Sequence, residues 1–221
     1  MNKNAILPES GLVGRIARQA VAEREAEYAD EIRRLLDAAL AQVRRCGPDA
    51  RPRVADIVAA AGLSNDAFYR HFRSKDALMA AVLADGAERL TDYVAHRMSK
   101  EPRADAQVRC WVAAILAQAD EPLAADARAV LCHTGALGSD LVTGQVGSAP
   151  RRLAVLLHAP FAELGVREPE LAAGLVAYAT VGKLSEYLWS HTEPTAADIE
   201  RMGEFCLAAA AAAVTRDDPP G

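Results

Sequence analysis

The stretch Val54–Leu83, VADIVAAAGLSNDAFYRHFRSKDALMAAVL, decides how the rest of this chain is interpreted. It opens with apolar residues spaced i, i+3, i+4 and i+7, which is the spacing of one face of an α-helix. Gly62 follows this run, and glycine after an apolar helical pattern is a common helix stop. The spacing therefore predicts a helix of about two turns whose apolar face is formed by Val54, Ile57, Val58 and Ala61.

Two more helices are predicted directly after this one. Ser64 can cap a short helix from Asn65 to His71, because its hydroxyl can accept a backbone N–H that has no helical partner. Ser74 can begin a third helix in the same way. In the second helix Phe68 and Phe72 are predicted to point inward, and the side chains predicted to face solvent or a partner are Asn65, Asp66, Tyr69, Arg70 and His71. A helix, a glycine turn and a second helix with a polar outer face form the helix-turn-helix pattern, whose second helix enters the DNA major groove.

This stretch resembles the DNA-binding domain of the TetR family of bacterial transcriptional regulators. The resemblance implies a repressor that binds a palindromic operator in double-stranded DNA as a homodimer, and that responds to a small-molecule effector bound in its C-terminal half. The residues that carry the resemblance are Ile57, Ala61, Gly62, Leu63, Ser64, Phe68, Tyr69, His71, Phe72, Ser74, Lys75, Asp76 and Leu78.

Composition agrees with a helical protein. Of 221 residues, 51% are hydrophobic and only 5% aromatic, and alanine dominates. We predict an all-α fold: an N-terminal extension over 1–27, a three-helix helix-turn-helix DNA-binding domain over 28–90, and a helical ligand-binding and dimerisation domain over 91–221. No run of 18 apolar residues and no signal-peptide core occurs, so we expect a cytoplasmic protein without membrane contact.

Charge is unevenly distributed along the chain. The net charge is −5, yet basic residues outnumber acidic ones between positions 44 and 75. Such a patch is expected where one face meets phosphates, although a solvated charged surface explains it equally well. The basic residues are Arg44, Arg45, Arg51, Arg53, Arg70, Arg73 and Lys75, and the acidic ones are Asp49, Asp56 and Asp66.

Individual DNA contacts follow from the chemistry and from the resemblance. Lys75 lies just inside a helix N-terminus and can offer its ammonium and the helix dipole to one phosphate. By resemblance, Tyr69 and His71 occupy phosphate-binding positions. Arg70 suits a bidentate contact to guanine, and Asn65 suits adenine or the DNA backbone. The full predicted set is Arg53, Ser64, Asn65, Asp66, Tyr69, Arg70, His71 and Lys75.

Two residues depart from the family pattern. Arg53 stands where relatives usually have a capping threonine; it cannot cap a helix but can reach a phosphate. Asp66 stands where a small residue is usual. Its charge suits the helix dipole but repels a phosphate, so Asp66 either accepts a hydrogen bond from a cytosine amino group or lies aside.

The N-terminal part of the chain leaves alternatives open. Its first well-marked helix is predicted from Tyr28 to Cys46, with Gly47 and Pro48 as its stop. The preceding residues 1–27 read either as a basic arm that reaches a minor groove, or as a disordered segment or short helix packed on the domain.

The C-terminal half is predicted to contain longer helices. They open after Pro102 and Pro122, a glycine-rich loop covers 135–149, and a helix over 151–164 is kinked at Pro160. Two long helices follow, over 168–189 and 195–214, the second with a Thr195–Asp198 capping box. Their small residues allow close packing, and the resemblance implies that they form the dimer interface. Packing within one chain is the alternative.

A small-molecule pocket is predicted in this half, and no catalytic or metal site is. The four cysteines are far apart, and no catalytic motif stands out, so we expect neither an enzyme nor a cofactor or metal protein. The alternative function is a helical regulator or interaction protein without a small-molecule effector. The predicted pocket residues are Trp111, Ile115, His133, Leu157, Phe161 and Tyr178.

Overall fold

The computed structural model of the protein describes residues 11–46, 52–121, 123–134 and 149–212. Over these ranges the chain forms ten α-helices and one 3₁₀ turn and no strand, which confirms the predicted all-α fold. The helices are α1 Leu12–Cys46, α2 Val54–Ala61, α3 Asn65–His71, α4 Lys75–Met98, α5 Ala104–Leu116, α6 Leu123–Thr134, α7 Ala149–Val155, α8 His158–Glu163, α9 Pro169–Ser190 and α10 Ala196–Ala212.

Some predicted features lie outside the described residues. They are the Gly47–Pro48 stop, Asp49, Arg51, Pro122, the glycine-rich segment over 135–148, the end of the last helix beyond residue 212, and the side chain of His133.

Helix α1 begins much earlier than predicted. It starts at Leu12 and runs for 35 residues, whereas the apolar pattern indicated a start at Tyr28. The pattern failed because residues 12–27 bury no apolar face; nearly all of them are exposed. They are nevertheless rich in alanine, glutamate and arginine, which are strong helix formers. Residues 12–27 are therefore a continuation of α1, and the predictions of a disordered segment or a short packed helix were wrong for them. The contact with a minor groove stays a prediction.

The first core lies where α1 to α4 meet. Leu35, Phe68 and Leu78, from three different helices, are completely buried in it. Between α2 and α3 the backbone turns at Gly62, which has φ +64° and so adopts the left-handed conformation that glycine tolerates best. The three predicted helices of Val54–Leu83 thus share one core.

Helix α4 connects this core to a second one. Near its start Met79 packs in the first core, and near its end Val94 and Met98 pack in the second. A second connection is an ion pair between Arg44 of α1 and Asp126 of α6, with 2.5 Å from Nη2 to Oδ2. The helix-turn-helix therefore has packed and ionic connections to the C-terminal helices.

The second core is built by α5 and the helices α7 to α10. Trp111 of α5 is completely buried, and its indole N–H donates a hydrogen bond to the backbone oxygen of Leu153 at 3.0 Å. The predicted kinked helix over 151–164 is in fact two helices, α7 and α8. Pro160 lies in the first turn of α8, where its missing N–H costs no helical hydrogen bond.

Helix α10 begins with the predicted capping box. The Thr195 hydroxyl accepts a hydrogen bond from the Asp198 amide at 3.2 Å, and the Asp198 carboxylate accepts one from the Thr195 amide at 2.9 Å. Across the described ranges, no helix is both long enough and apolar enough to cross a membrane.

Candidate nucleic-acid interface

Helix α3 is short, and its position is fixed at both its start and its inner face. The Ser64 hydroxyl accepts a hydrogen bond from the Ala67 amide at 3.1 Å, as predicted for an N-cap. Phe68 is completely buried, and Phe72 is partly buried beside it with 6.0 Å between ring centroids. A helix of only seven residues is thereby held firmly enough to present a defined outer face.

The outer face of α3 carries four of the predicted contact residues. Asn65, Asp66 and Arg70 are exposed. Tyr69 is 60% exposed, an unusual state for so large an aromatic side chain, and its ring stands edge-on to Phe68 with 5.1 Å between centroids. The buried phenylalanine thus supports the ring of Tyr69 while its hydroxyl remains open to solvent.

Lys75 lies at a second point suited to anion binding. It is the first residue of α4, and the preceding Ser74 caps this helix by accepting a hydrogen bond from the Ala77 amide at 3.1 Å. The first turn of a helix with 24 residues carries a partial positive charge that adds to the lysine ammonium. Lys75 is partly exposed, so a phosphate can approach both groups.

The end of α3 is tied to α1 in a way that the sequence did not predict. His71 is only 6% exposed through its side chain, and its Nε2 lies 2.6 Å from Oε2 of Glu31. Its ring also packs edge-on against Tyr28, with 5.4 Å between centroids. The hydrogen bond with His71 is the main reason that the pKa of Glu31 is lowered from its ordinary value. In this structure His71 therefore faces α1, whereas we predicted that it faces solvent or DNA.

Arg70 is also drawn toward α1. One guanidinium nitrogen lies 3.7 Å from Oε2 of Glu31, and its Cζ lies 5.7 Å from the ring centroid of Tyr28. Its side chain is about half exposed, so the ion pair is a weak one that a DNA base or phosphate could replace. A contact from Arg70 to guanine requires this exchange.

A third residue of α1 supports the glycine turn. Arg34 donates hydrogen bonds from Nε to the backbone oxygen of Ala61 at 2.9 Å and from Nη2 to that of Gly62 at 3.0 Å. These carbonyls close α2, where backbone oxygens lack helical partners. The sequence pattern did not identify Tyr28, Glu31 and Arg34 as residues of α1 that contact the helix-turn-helix. Their spacing of three residues places them on one side of α1, but such spacing is common in helices and is a weak signal.

The predicted basic patch is only partly available for an anion. Arg53 precedes α2, is exposed, and makes no side-chain capping bond, in agreement with the expectation that it cannot cap. Arg73 is exposed as well. Arg44, in contrast, is engaged by Asp126, so the charge that it adds to the patch is largely balanced.

The predicted pocket residues do not form one set. Trp111, Ile115, Leu157 and Phe161 are completely buried in the second core, where they lie with one another. Tyr178 is 54% exposed on α9, so it does not lie in the second core with the other four. Its helical position was ambiguous because α9 is rich in small apolar residues on several sides.

An open groove of about 550 Å³ lies between α9 and α10, away from those buried residues. Its charged groups are paired: Lys183 Nζ lies 2.8 Å from a Glu186 carboxylate oxygen, and Arg201 lies 2.6 Å from Asp198. Hydrogen bonds from Thr195 are the main reason that the pKa of Asp198 is strongly lowered. The groove is lined by Ala179, Lys183, Glu186, Tyr187, Asp198, Arg201, Met202 and Phe205.

An exposed apolar stripe runs along α9 beside this groove. Its members recur at helical spacing along one side of the helix, and Phe205 of α10 is exposed as well. Contiguous exposed apolar surface of this kind usually marks an interaction site. The stripe consists of Leu171, Leu175, Tyr178 and Trp189.

Comparisons with known proteins agree with this arrangement. Residues 35–82 match the family model of bacterial regulatory proteins of the tetR family, which confirms the predicted resemblance. No curated protein matches the chain.

Several solved structures share the fold. A transcriptional regulator structure from Pseudomonas aeruginosa PAO1 is similar with a TM-score of 0.61 and 24% identity, covering 82% of this chain and 88% of that chain. A TetR-family regulator from Mesorhizobium loti MAFF303099 gives 0.58 and 20%, covering 84% and 96%. The regulator FadR from Bacillus subtilis, solved with stearoyl-CoA, gives 0.54 and 14%, covering 82% and 97%. At these identities the likeness establishes a shared fold.

Proposed function

We propose that this protein, a member of the TetR family of bacterial regulatory proteins by its N-terminal domain, is a transcriptional regulator that binds a palindromic DNA operator as a dimer. The observation that carries the proposal is the outer face of α3. This capped helix presents polar side chains and an exposed tyrosine, and Lys75 follows at the start of the next helix. It therefore offers base-reading and phosphate-binding groups side by side.

The proposed contacts follow from where each side chain lies. Tyr69 and Lys75 are assigned to phosphates, because one offers an exposed hydroxyl and the other an ammonium at a helix N-terminus. Asn65 and Arg70 are assigned to base edges. His71 is left out of the proposed set, since it is buried against Glu31.

Fluorescence anisotropy with the DNA upstream of the gene tests this assignment. The double variant Tyr69→Ala, Lys75→Ala should lose at least about tenfold in affinity for every DNA tested and should show a shallower dependence on salt, because two phosphate contacts disappear. Lys100→Ala is the matched control, since this exposed lysine lies just past the other end of α4. Unchanged affinity in the double variant, or equal losses in both variants, would contradict the assignment.

The dimer is proposed to form through α9 and α10. The support is the exposed apolar stripe on α9, together with the exposed Phe205 on α10, since two such helices from each copy can form a four-helix interface. The groove between the two helices, which Phe205 also lines, would receive side chains of the second copy.

Sedimentation velocity measures this interface directly. Leu175→Glu places a charge on an exposed position, so the fold should survive while the dimer dissociates. Leu123→Glu, an equally simple change at an exposed leucine of α6, should leave the dimer intact. A wild-type monomer at micromolar concentration, or a dimer that tolerates Leu175→Glu, would rule out this interface.

The proposed function also includes regulation by a small-molecule effector. Its support is the fold, shared with a regulator solved with stearoyl-CoA. Because Trp111 and Phe161 are completely buried in the second core, a ligand bound beside them would have to displace core side chains. Regulation requires that the ligand bind one dimer geometry more tightly than the other. Long-chain acyl-CoA thioesters and free fatty acids are the first probes, with release of bound DNA as the measurement. A regulator that binds DNA but is insensitive to any small molecule would support the alternative without an effector.

A further inference from the structure

The first half of α1, residues 12–27, leaves the body of the protein as a single helix. The rest of α1 packs against α2, α3, α4 and α6, and its end contacts Asp126. Tyr28 and Glu31 meet the end of α3. Residues 12–27, here called the α1 projection, extend about 24 Å beyond these contacts, at about 1.5 Å per residue.

The α1 projection carries apolar side chains that nothing in the described structure covers. Leu12, Val13, Ile16 and Val21 are between 55% and 68% exposed, and Ala17 and Ala20 lie between them at helical spacing. An isolated helix of this length is marginal in water. A partner that covers the stripe would stabilise the helix and remove this apolar surface from solvent.

Charge along the projection indicates what the partner is. Residues 11–21 contain two arginines, Arg15 and Arg18, and no acidic residue. Residues 22–27 contain three glutamates, Glu23, Glu25 and Glu27, against one arginine. The segment is thus basic at its tip and acidic at its base, so an antiparallel copy places opposite charges together whereas a parallel copy places like charges together. Antiparallel packing also aligns the helix dipoles favourably.

DNA and anionic membranes fit this segment less well. Both require an excess of positive charge, whereas residues 12–27 contain as many glutamates as arginines. Arg15 and Arg18 lie about 60° apart around the helix at 100° per residue, but Arg24 lies opposite Arg15, so the three arginines do not form one phosphate-binding face. An apolar stripe between complementary charges is typical of a helix that pairs with another helix.

We propose that the α1 projection pairs with the α1 projection of a second copy of this chain in an antiparallel, two-fold arrangement. Such a contact uses the same surface on both copies and therefore closes after two chains. The projection belongs to a different surface from α9 and α10, so the pairing adds to the dimer contact proposed there. Two dimers would then join into a tetramer, which could hold two DNA sites together.

Sedimentation velocity over a concentration series provides the first test. Ile16→Glu should weaken the tetramer at least about tenfold while leaving the dimer and the circular dichroism spectrum unchanged, because Ile16 is exposed in the single chain. Leu164→Glu is the matched control, since this exposed leucine lies at the end of α8. Loss of the dimer as well would assign the stripe to the dimer contact instead. A wild-type protein that never exceeds a dimer would overturn the proposal.

Charge reversal tests the orientation. Arg15→Glu with Arg18→Glu makes the whole projection acidic and should weaken the tetramer in an antiparallel pair. Adding Glu25→Arg and Glu27→Arg to the same chain should restore it, since tip and base again have opposite charge. If the first variant associates like wild type, the pair is parallel and the proposed arrangement is wrong. If both variants lose only DNA affinity and never change mass, the projection is a DNA contact and the pairing is refuted.

Discussion

The helix-turn-helix and the C-terminal bundle are held together in different ways. Helices α2 and α3 have eight and seven residues; α2 ends at the turn at Gly62, and α3 begins at the cap of Ser64. Helices α5 and α9 begin without side-chain caps, but each buries a long apolar face, with large side chains in α5 and many alanines in α9. A short helix has a larger fraction of unpaired backbone groups, so caps decide its stability, whereas a long bundle helix depends on burial.

The largest effect that this comparison predicts is a loss of core packing in the bundle. Leu157→Ala should lower the free energy of unfolding by about 2–5 kcal/mol, because Leu157 is completely buried and its removal leaves a cavity. Leu164, at the other end of α8, is 37% exposed, so Leu164→Ala should cost less than about 1 kcal/mol. Urea unfolding at one fixed protein concentration measures both. Equal losses of unfolding free energy in the two variants would mean that burial of apolar side chains is not the main source of stability in the C-terminal bundle.

The difference between local turns and caps on one side and long-range burial on the other also explains which features the sequence could predict. The Ser64 cap, the Ser74 cap and the Gly62 turn are local signals within a few residues, and each was confirmed at the predicted position. The Thr195–Asp198 capping box was predicted for the same reason. Where a structure depends on neighbouring residues in the chain, residue type and spacing were sufficient.

Features that depend on distant residues were not predictable in this way. The contact between His71 and Glu31 joins residues 40 positions apart, and a pattern within α3 cannot indicate it. The exposure of Tyr178 depends on how helices pack, and its neighbours in sequence are apolar. The early start of α1 was missed because an exposed helix has no apolar stripe facing a core.

A smaller effect is predicted at the turn of the helix-turn-helix. Gly62→Ala should destabilise the protein by about 1–2 kcal/mol, because its φ of +64° is unfavourable for alanine. The added Cβ would also come within 2.9 Å of the Arg34 guanidinium and disturb its bonds to the α2 carbonyls. Gly86→Ala is the control: this glycine is inside α4 with open space around it, so alanine should stabilise by about 0.5–1 kcal/mol. Thermal unfolding that shifts in the same direction for both variants would contradict this account of the turn.

The smallest effect is expected where the two kinds of stabilisation meet, at the link between α3 and α1. The hydrogen bond from His71, together with nearby arginines, lowers the pKa of Glu31 in the folded state below its ordinary value of 4.5. As pH falls, Glu31 is therefore protonated at a higher pH in the unfolded chain than in the folded protein. Ionised Glu31 stabilises the folded protein fully at pH values above the ordinary pKa, and this stabilisation is lost as pH falls through the lowered pKa of the folded state. Glu31→Gln should make stability less steeply dependent on pH across that acid range, whereas Glu163→Gln, at an exposed glutamate of α8, should leave the slope unchanged. Because Glu31 also holds Arg70, Glu31→Gln should in addition release that arginine and raise DNA affinity at neutral pH. An acid slope equal to that of the wild type, measured by urea unfolding at several pH values, would show that the link to α1 contributes no proton-dependent stability to the recognition helix.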